Sequence, residues 1–67
     1  MHMSHLTAEF EDCHCIQETK LAIQVVIDGV CHWIPKSQVD NDSEVWKKGD
    51  QGMLIIMEWF AIQEGLI

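Results

Sequence analysis

Cys13-His14-Cys15 and Cys31-His32 are the residues of this chain best suited to chemistry. Thiolates and imidazoles are ligands that zinc favours. If residues 13–16 run as a strand, Cys13 and Cys15 share a face, and Cys31 or His32 would complete a tetrahedral set. Against this, Cys-x-Cys is tighter than the usual zinc-binding pair, and no second pair follows. Alternation also sends Cys31 and His32 to opposite faces of one strand. The plainer expectation is no resident metal: free thiols, surface histidines and Cys31 as a small hydrophobe. A Cys–His nucleophile is a further option, but it needs an orienting group, an oxyanion hole and a substrate cleft. A chain of 67 residues offers little room for them. Paired carboxylates fare no better, since Asp40, Asp42 and Glu44 lie in a turn-forming stretch. The expectation is a protein that is not an enzyme.

Two other groups of residues suit binding rather than catalysis. Trp33 can stack on a planar group, Lys36 can pair with a phosphate, and Ser37 and Gln38 can add directional hydrogen bonds. Pro35 takes this segment out of a β-ladder, so it could line the mouth of a pocket. Several copies of the chain could then enclose a nucleotide-like ligand that one copy cannot. The plainer alternative is packing by Trp33 and a simple turn at Lys36-Ser37-Gln38. Trp46 with Lys47-Lys48 is a weaker patch of the same kind. The second group is acidic: Asp40, Asp42, Glu44 and Asp50 could imitate a phosphate row and dock on a protein that binds nucleic acid. Its plainer alternative is charge that maintains solubility.

These residues need elements to hold them. The clearest lies between Leu21 and Ile34. Two β-branched runs flank Asp28-Gly29, a pair suited to a two-residue type I′ turn. That loop pairs Ile27 with Val30, Val26 with Cys31, Val25 with His32, Gln24 with Trp33 and Ile23 with Ile34. Ile23, Val25, Ile27, Val30, His32 and Ile34 then form the expected core face. Ala22, Gln24, Val26, Cys31 and Trp33 form the other. Residues 13–19 read as a short strand or loop, and Glu44 to Lys47 as a third strand. Met53 to Ile56 read as a buried strand and Glu58 to Gly65 as a helix. Gly65 stands where a glycine stops a helix, and Leu66 where its closing apolar contact belongs. Residues 1–12 lack a steady period and read as a flexible tail; residues 13–67 read as one domain. The expected fold class is α+β: a small antiparallel β-sheet or barrel of about four or five strands with one C-terminal helix.

Composition narrows the field. The chain carries four Lys, no Arg and eleven acidic residues, for a net charge of −7, with 48% apolar residues. That is not a disordered composition. It lacks the basic face of a nucleic-acid binder, so no direct nucleic-acid binding is expected. A domain this small buries only about 60% of its unfolded surface. Its apolar content therefore points to self-association into a homo-oligomer. No apolar run is long enough to span a membrane, and the N-terminus lacks a signal-peptide pattern. The odd count of three Cys fits reduced thiols in a cytoplasmic setting.

Several strings taken together carry a resemblance. They are Ile27-Asp28-Gly29, Trp33-Ile34-Pro35-Lys36-Ser37-Gln38-Val39, Gly52-x-Leu54, Glu58-Trp59-x-Ala61 and Gly65-Leu66. Over residues 18–67 the chain resembles a group of small uncharacterised proteins encoded by phages and mobile elements. The Trp-Ile-Pro-Lys-Ser-Gln string is the most specific part. The Cys- and His-rich N-terminal segment departs from the pattern. The resemblance carries over no catalytic residues. It implies a phage-type accessory protein in the cytoplasm of a bacterial host, acting against host defence by binding. The leading expectation is an oligomeric sponge for a nucleotide-derived immune signal held at Trp33, Lys36, Ser37 and Gln38. One alternative is an acidic inhibitor that docks on a host defence enzyme through Asp40, Asp42, Glu44 and Asp50. Another is a structural or regulatory accessory protein with no ligand.

Overall fold

The computed structural model describes residues 6–67. They fold into an α+β unit with strands β1 (Thr7–Glu18), β2 (Ala22–Ile27), β3 (Val30–Pro35) and β4 (Gln51–Met57). A 3₁₀ turn covers Lys36–Gln38, and helix α1 covers Glu58–Gln63. The sheet is antiparallel, ordered β3-β2-β1-β4, and open rather than closed into a barrel.

The β2–β3 hairpin has the expected register, from Ile27↔Val30 to Ile23↔Ile34. Asp28 and Gly29 sit at φ 51° and 81°, as a type I′ turn requires. Aspartate tolerates that left-handed backbone and glycine adopts it freely. Ile23, Val25, Ile27 and Ile34 are buried, but Val30 and His32 are not. Both share the core side by alternation. Val30 lies at the hairpin tip, outside the packed cluster, and is 55% exposed.

Strand β1 corrects the expected tail. Residues 1–5 lie outside the described residues, but Thr7 to Asp12 belong to a twelve-residue strand. Two β-bulges explain the missing period. The register slips by one residue between Phe10 and Cys13, and again between Cys15 and Gln17. The first bulge puts Asp12 at φ 55°. It also flips the parity, so even-numbered Ala8 and Phe10 face the same core as odd-numbered Cys13 and Cys15.

Val39, Val45, Phe60 and Ala61 pack onto the sheet's buried side. The helix closes as expected: Gly65 N–H donates to Ile62 C=O at 3.0 Å and Leu66 N–H to Ala61 C=O at 2.8 Å, a Schellman pair. Leu66 packs against the core. Glu44 to Lys47 form no strand, contrary to expectation. The Asp50 carboxylate accepts the N–H groups of Trp46 and Lys47, both at 2.8 Å, and turns the chain there. Just before it, the segment from Val39 to Glu44 runs along the outer edge of β4. Val39 bridges Ile56, Asp40 N–H donates to Ile55 C=O, and Glu44 N–H donates to Met53 C=O. Ser43 Oγ accepts from Ile55 N–H at 3.0 Å. The β4 edge is therefore covered.

Candidate functional site

The loop and helix cover one side of the sheet and leave its other side open. Ladder register shows which residues meet there. Trp33 lies opposite Gln24, and Gln24 opposite Gln17, so the three form one row across β3, β2 and β1. A neighbouring row runs Cys31, Val26, His14 and Gln51. Trp33 is 48% exposed, Gln17 is exposed and Gln24 is half-buried. Among the described residues, neither the indole nor either glutamine amide is engaged in a side-chain hydrogen bond. An indole face beside two open amides can stack on a planar group and hydrogen-bond its edge. The hairpin register alone brings Gln24 beside Trp33. Gln17 was hidden from the sequence by the second bulge.

The sequence-derived quartet is divided. Trp33 projects from the open face. Lys36 instead reaches Glu18, with Nζ 2.8 Å from Oε2, and Glu18 pairs with the buried Ile23. The Glu18 carboxyl is held below its usual value, first by Lys36 and then by the Lys48 N–H. Gln38 donates to the Ser37 hydroxyl at 3.3 Å, and Ser37 is exposed. Among the described residues Lys36 is thus engaged by Glu18 and Gln38 by Ser37, and neither is bonded to Trp33.

Three of the four acidic candidates are engaged locally. Asp40 accepts the Asp42 N–H at 3.0 Å, and Glu44 accepts the Met53 N–H at 2.8 Å. Asp50 holds Trp46 and Lys47, and those two bonds depress its carboxyl below the usual range. Asp42 is exposed. Glu44 also borders a shallow open depression with Glu11, Asp12, Gly52 and Met53.

The thiols are not brought together either. Cys13 and Cys15 are buried in the core, at 0% and 1% exposure, while Cys31 is exposed on the open face. Each buried thiol serves a bulge: Cys13 donates to Phe10 C=O at 3.4 Å and Cys15 to Gln17 C=O at 3.1 Å. Burial pushes both thiols up from their ordinary value and away from the thiolate. The alternative zinc set, Cys13, Cys15 and Cys31, is therefore split between two faces. Among the described residues no group of three His, Cys, Asp or Glu is placed to hold a metal ion. None of the helices described is long and apolar enough to cross a membrane.

No family model, curated protein or solved structure matches the chain.

Proposed function

We propose that this chain is a non-enzymatic binding protein that holds a planar, nucleobase-like ligand on the open face of its sheet. Trp33 stacks on the base, and the amides of Gln24 and Gln17 address its edge. The cross-strand row Trp33–Gln24–Gln17 carries this reading. Single-layer sheets that bind single-stranded RNA combine the same two elements, an exposed aromatic residue and nearby polar groups. The net charge of −7 favours recognition through the base over recognition through several phosphates. In the phage-type accessory role that the sequence resemblance implies, such a protein acts as a sponge for a nucleotide-derived signal.

Titration with AMP, GMP, CMP and UMP tests the reading, with fluorescence read from a Trp46→Phe/Trp59→Phe variant that keeps Trp33 as its sole indole. At least one nucleotide should quench Trp33. By equilibrium dialysis, Trp33→Ala in the wild-type chain should bind that nucleotide about 5- to 150-fold more weakly, the equivalent of about 1–3 kcal/mol of stacking. Its circular dichroism should be unchanged, because Trp33 lies outside the core cluster. No quenching by any of the four at millimolar concentration, or equal binding by Trp33→Ala, overturns the proposal.

A further inference from the structure

The two edges of the sheet are unlike. The β4 edge is covered by residues 39–44. The β3 edge is bare among the described residues, and hairpin geometry fixes which of its groups face outward. Ile27↔Val30, closing a two-residue loop, is a hydrogen-bonded pair, and so are Val25↔His32 and Ile23↔Ile34. The intervening positions, Cys31 and Trp33, direct N–H and C=O away from β2. None of these four groups has a backbone partner among the described residues. Pro35, at the next outward position, has no N–H to leave unpaired.

Unprotected edges are ordinarily blunted by charge, bulges or a covering segment. Of such devices strand β3 carries only a proline, Pro35, at its last position. Val30 to Pro35 contain no charged residue and no register slip, in a chain with eleven acidic residues. Exposed Val30 and Trp33 lie along it, and exposed Leu21 lies next to the Ala22↔Pro35 pair that ends the hairpin. The edge is also self-complementary. In an antiparallel pairing centred on His32, Cys31 of each copy faces Trp33 of the other, and all four outward groups of Cys31 and Trp33 are paired. The same register puts exposed Asp28 of one copy at the end where Lys36 of the other stands. Lys36 is already 2.8 Å from Glu18, so it would join two carboxylates there.

We infer that the β3 edge is a homodimer interface, in which two copies pair antiparallel about a two-fold axis at His32 and join their sheets into one of eight strands. Assembly stops at two copies because the opposite edge of each sheet is covered. The inference goes beyond the ligand reading and stands without it. It also bears on it, since the Trp33 row of one copy continues into Cys31, Val26, His14 and Gln51 of the second.

Sedimentation equilibrium of the wild-type chain and a Cys31→Pro variant tests the interface. The Cys31 N–H points outward, so proline there spares the β2 ladder while removing an interface donor. The wild type should sediment as two 7.7 kDa chains and the variant as one, with unchanged circular dichroism. A second variant tests the register and does not depend on how proline is tolerated. In Cys31→Ser/His32→Cys the new thiols face each other across the axis, at a non-hydrogen-bonded pair about 4.5 Å apart at Cα, within disulfide reach. Mild oxidation should give a covalent dimer on a non-reducing gel. A monomeric wild type, a larger assembly, a Cys31→Pro dimer of undiminished affinity, or no covalent dimer from the double variant each overturns the inference.

Discussion

Replacing Gly52 with alanine should destabilise the fold by about 2–4 kcal/mol, from two separable causes. Gly52 lies opposite Cys13 beside the first bulge, with φ at 142°. Residues with a Cβ rarely adopt that backbone, and holding one there costs about 1–3 kcal/mol. The added Cβ would also stand 2.5 Å from Glu44 Oε1. That oxygen accepts the Met53 N–H at 2.8 Å, one of the contacts along the β4 edge. A hydrogen bond contributes a net of about 0.5–1.5 kcal/mol, and for this exposed one we take about 1 kcal/mol. For a 67-residue domain the total stability is about 3–10 kcal/mol, so the variant should be visibly less stable. Urea unfolding followed by tryptophan fluorescence measures the loss. A cycle with Glu44→Ala separates the causes: without the carboxylate, Gly52→Ala retains only the backbone part, and the two substitutions should couple by about 1 kcal/mol. A loss below about 0.5 kcal/mol, or full additivity with Glu44→Ala, would refute this account of the β1–β4 junction.

Core packing predicts that Ile23→Ala, at a fully buried position, costs about 2–5 kcal/mol in the same unfolding assay. Thiol exposure predicts that one cysteine, Cys31, reacts with Ellman's reagent in the native protein, while Cys13 and Cys15 react only after unfolding; three equally fast thiols would contradict the burial. The carboxyls of Glu18 and Asp50 are lowered in the fold from 4.5 and 3.8. Their stabilisation is therefore complete above those values and is lost as pH falls through the folded-state values. Thermal melts should drop on acidification below about pH 4.5, and Asp50→Asn should drop less; equal slopes would count against the Trp46–Lys47 turn as the cause.

The sequence was most readable where one local rule decides the geometry. Asp28-Gly29 specifies a two-residue loop, and the loop specifies the whole β2–β3 register. Gly65-Leu66 specifies the helix end in the same way. The N-terminal strand was not readable because its two bulges break the period that would reveal it, and those bulges depend on long-range pairing with β2 and β4. Glu44 to Lys47 had strand-like composition, but two hydrogen bonds to Asp50, three and four residues on, turn the chain instead. For the candidate site, the sequence pointed to Trp33 and placed it on one face of the hairpin with Gln24. It grouped Trp33 with Lys36 by proximity along the chain, whereas the ladder groups it with Gln24 and Gln17. Glu18 is eighteen residues from Lys36, so the ion pair between them could not be read from spacing.

The binding face is tested most directly by amide chemical-shift mapping of the isotope-labelled chain with the four nucleoside monophosphates. Shifts are expected at the Trp33 indole N–H and at the Gln24 and Gln17 side-chain amides, with the segment from Asp40 to Glu44 unmoved. No shift with any of the four, or shifts confined to residues 40–44, would contradict the proposed binding face.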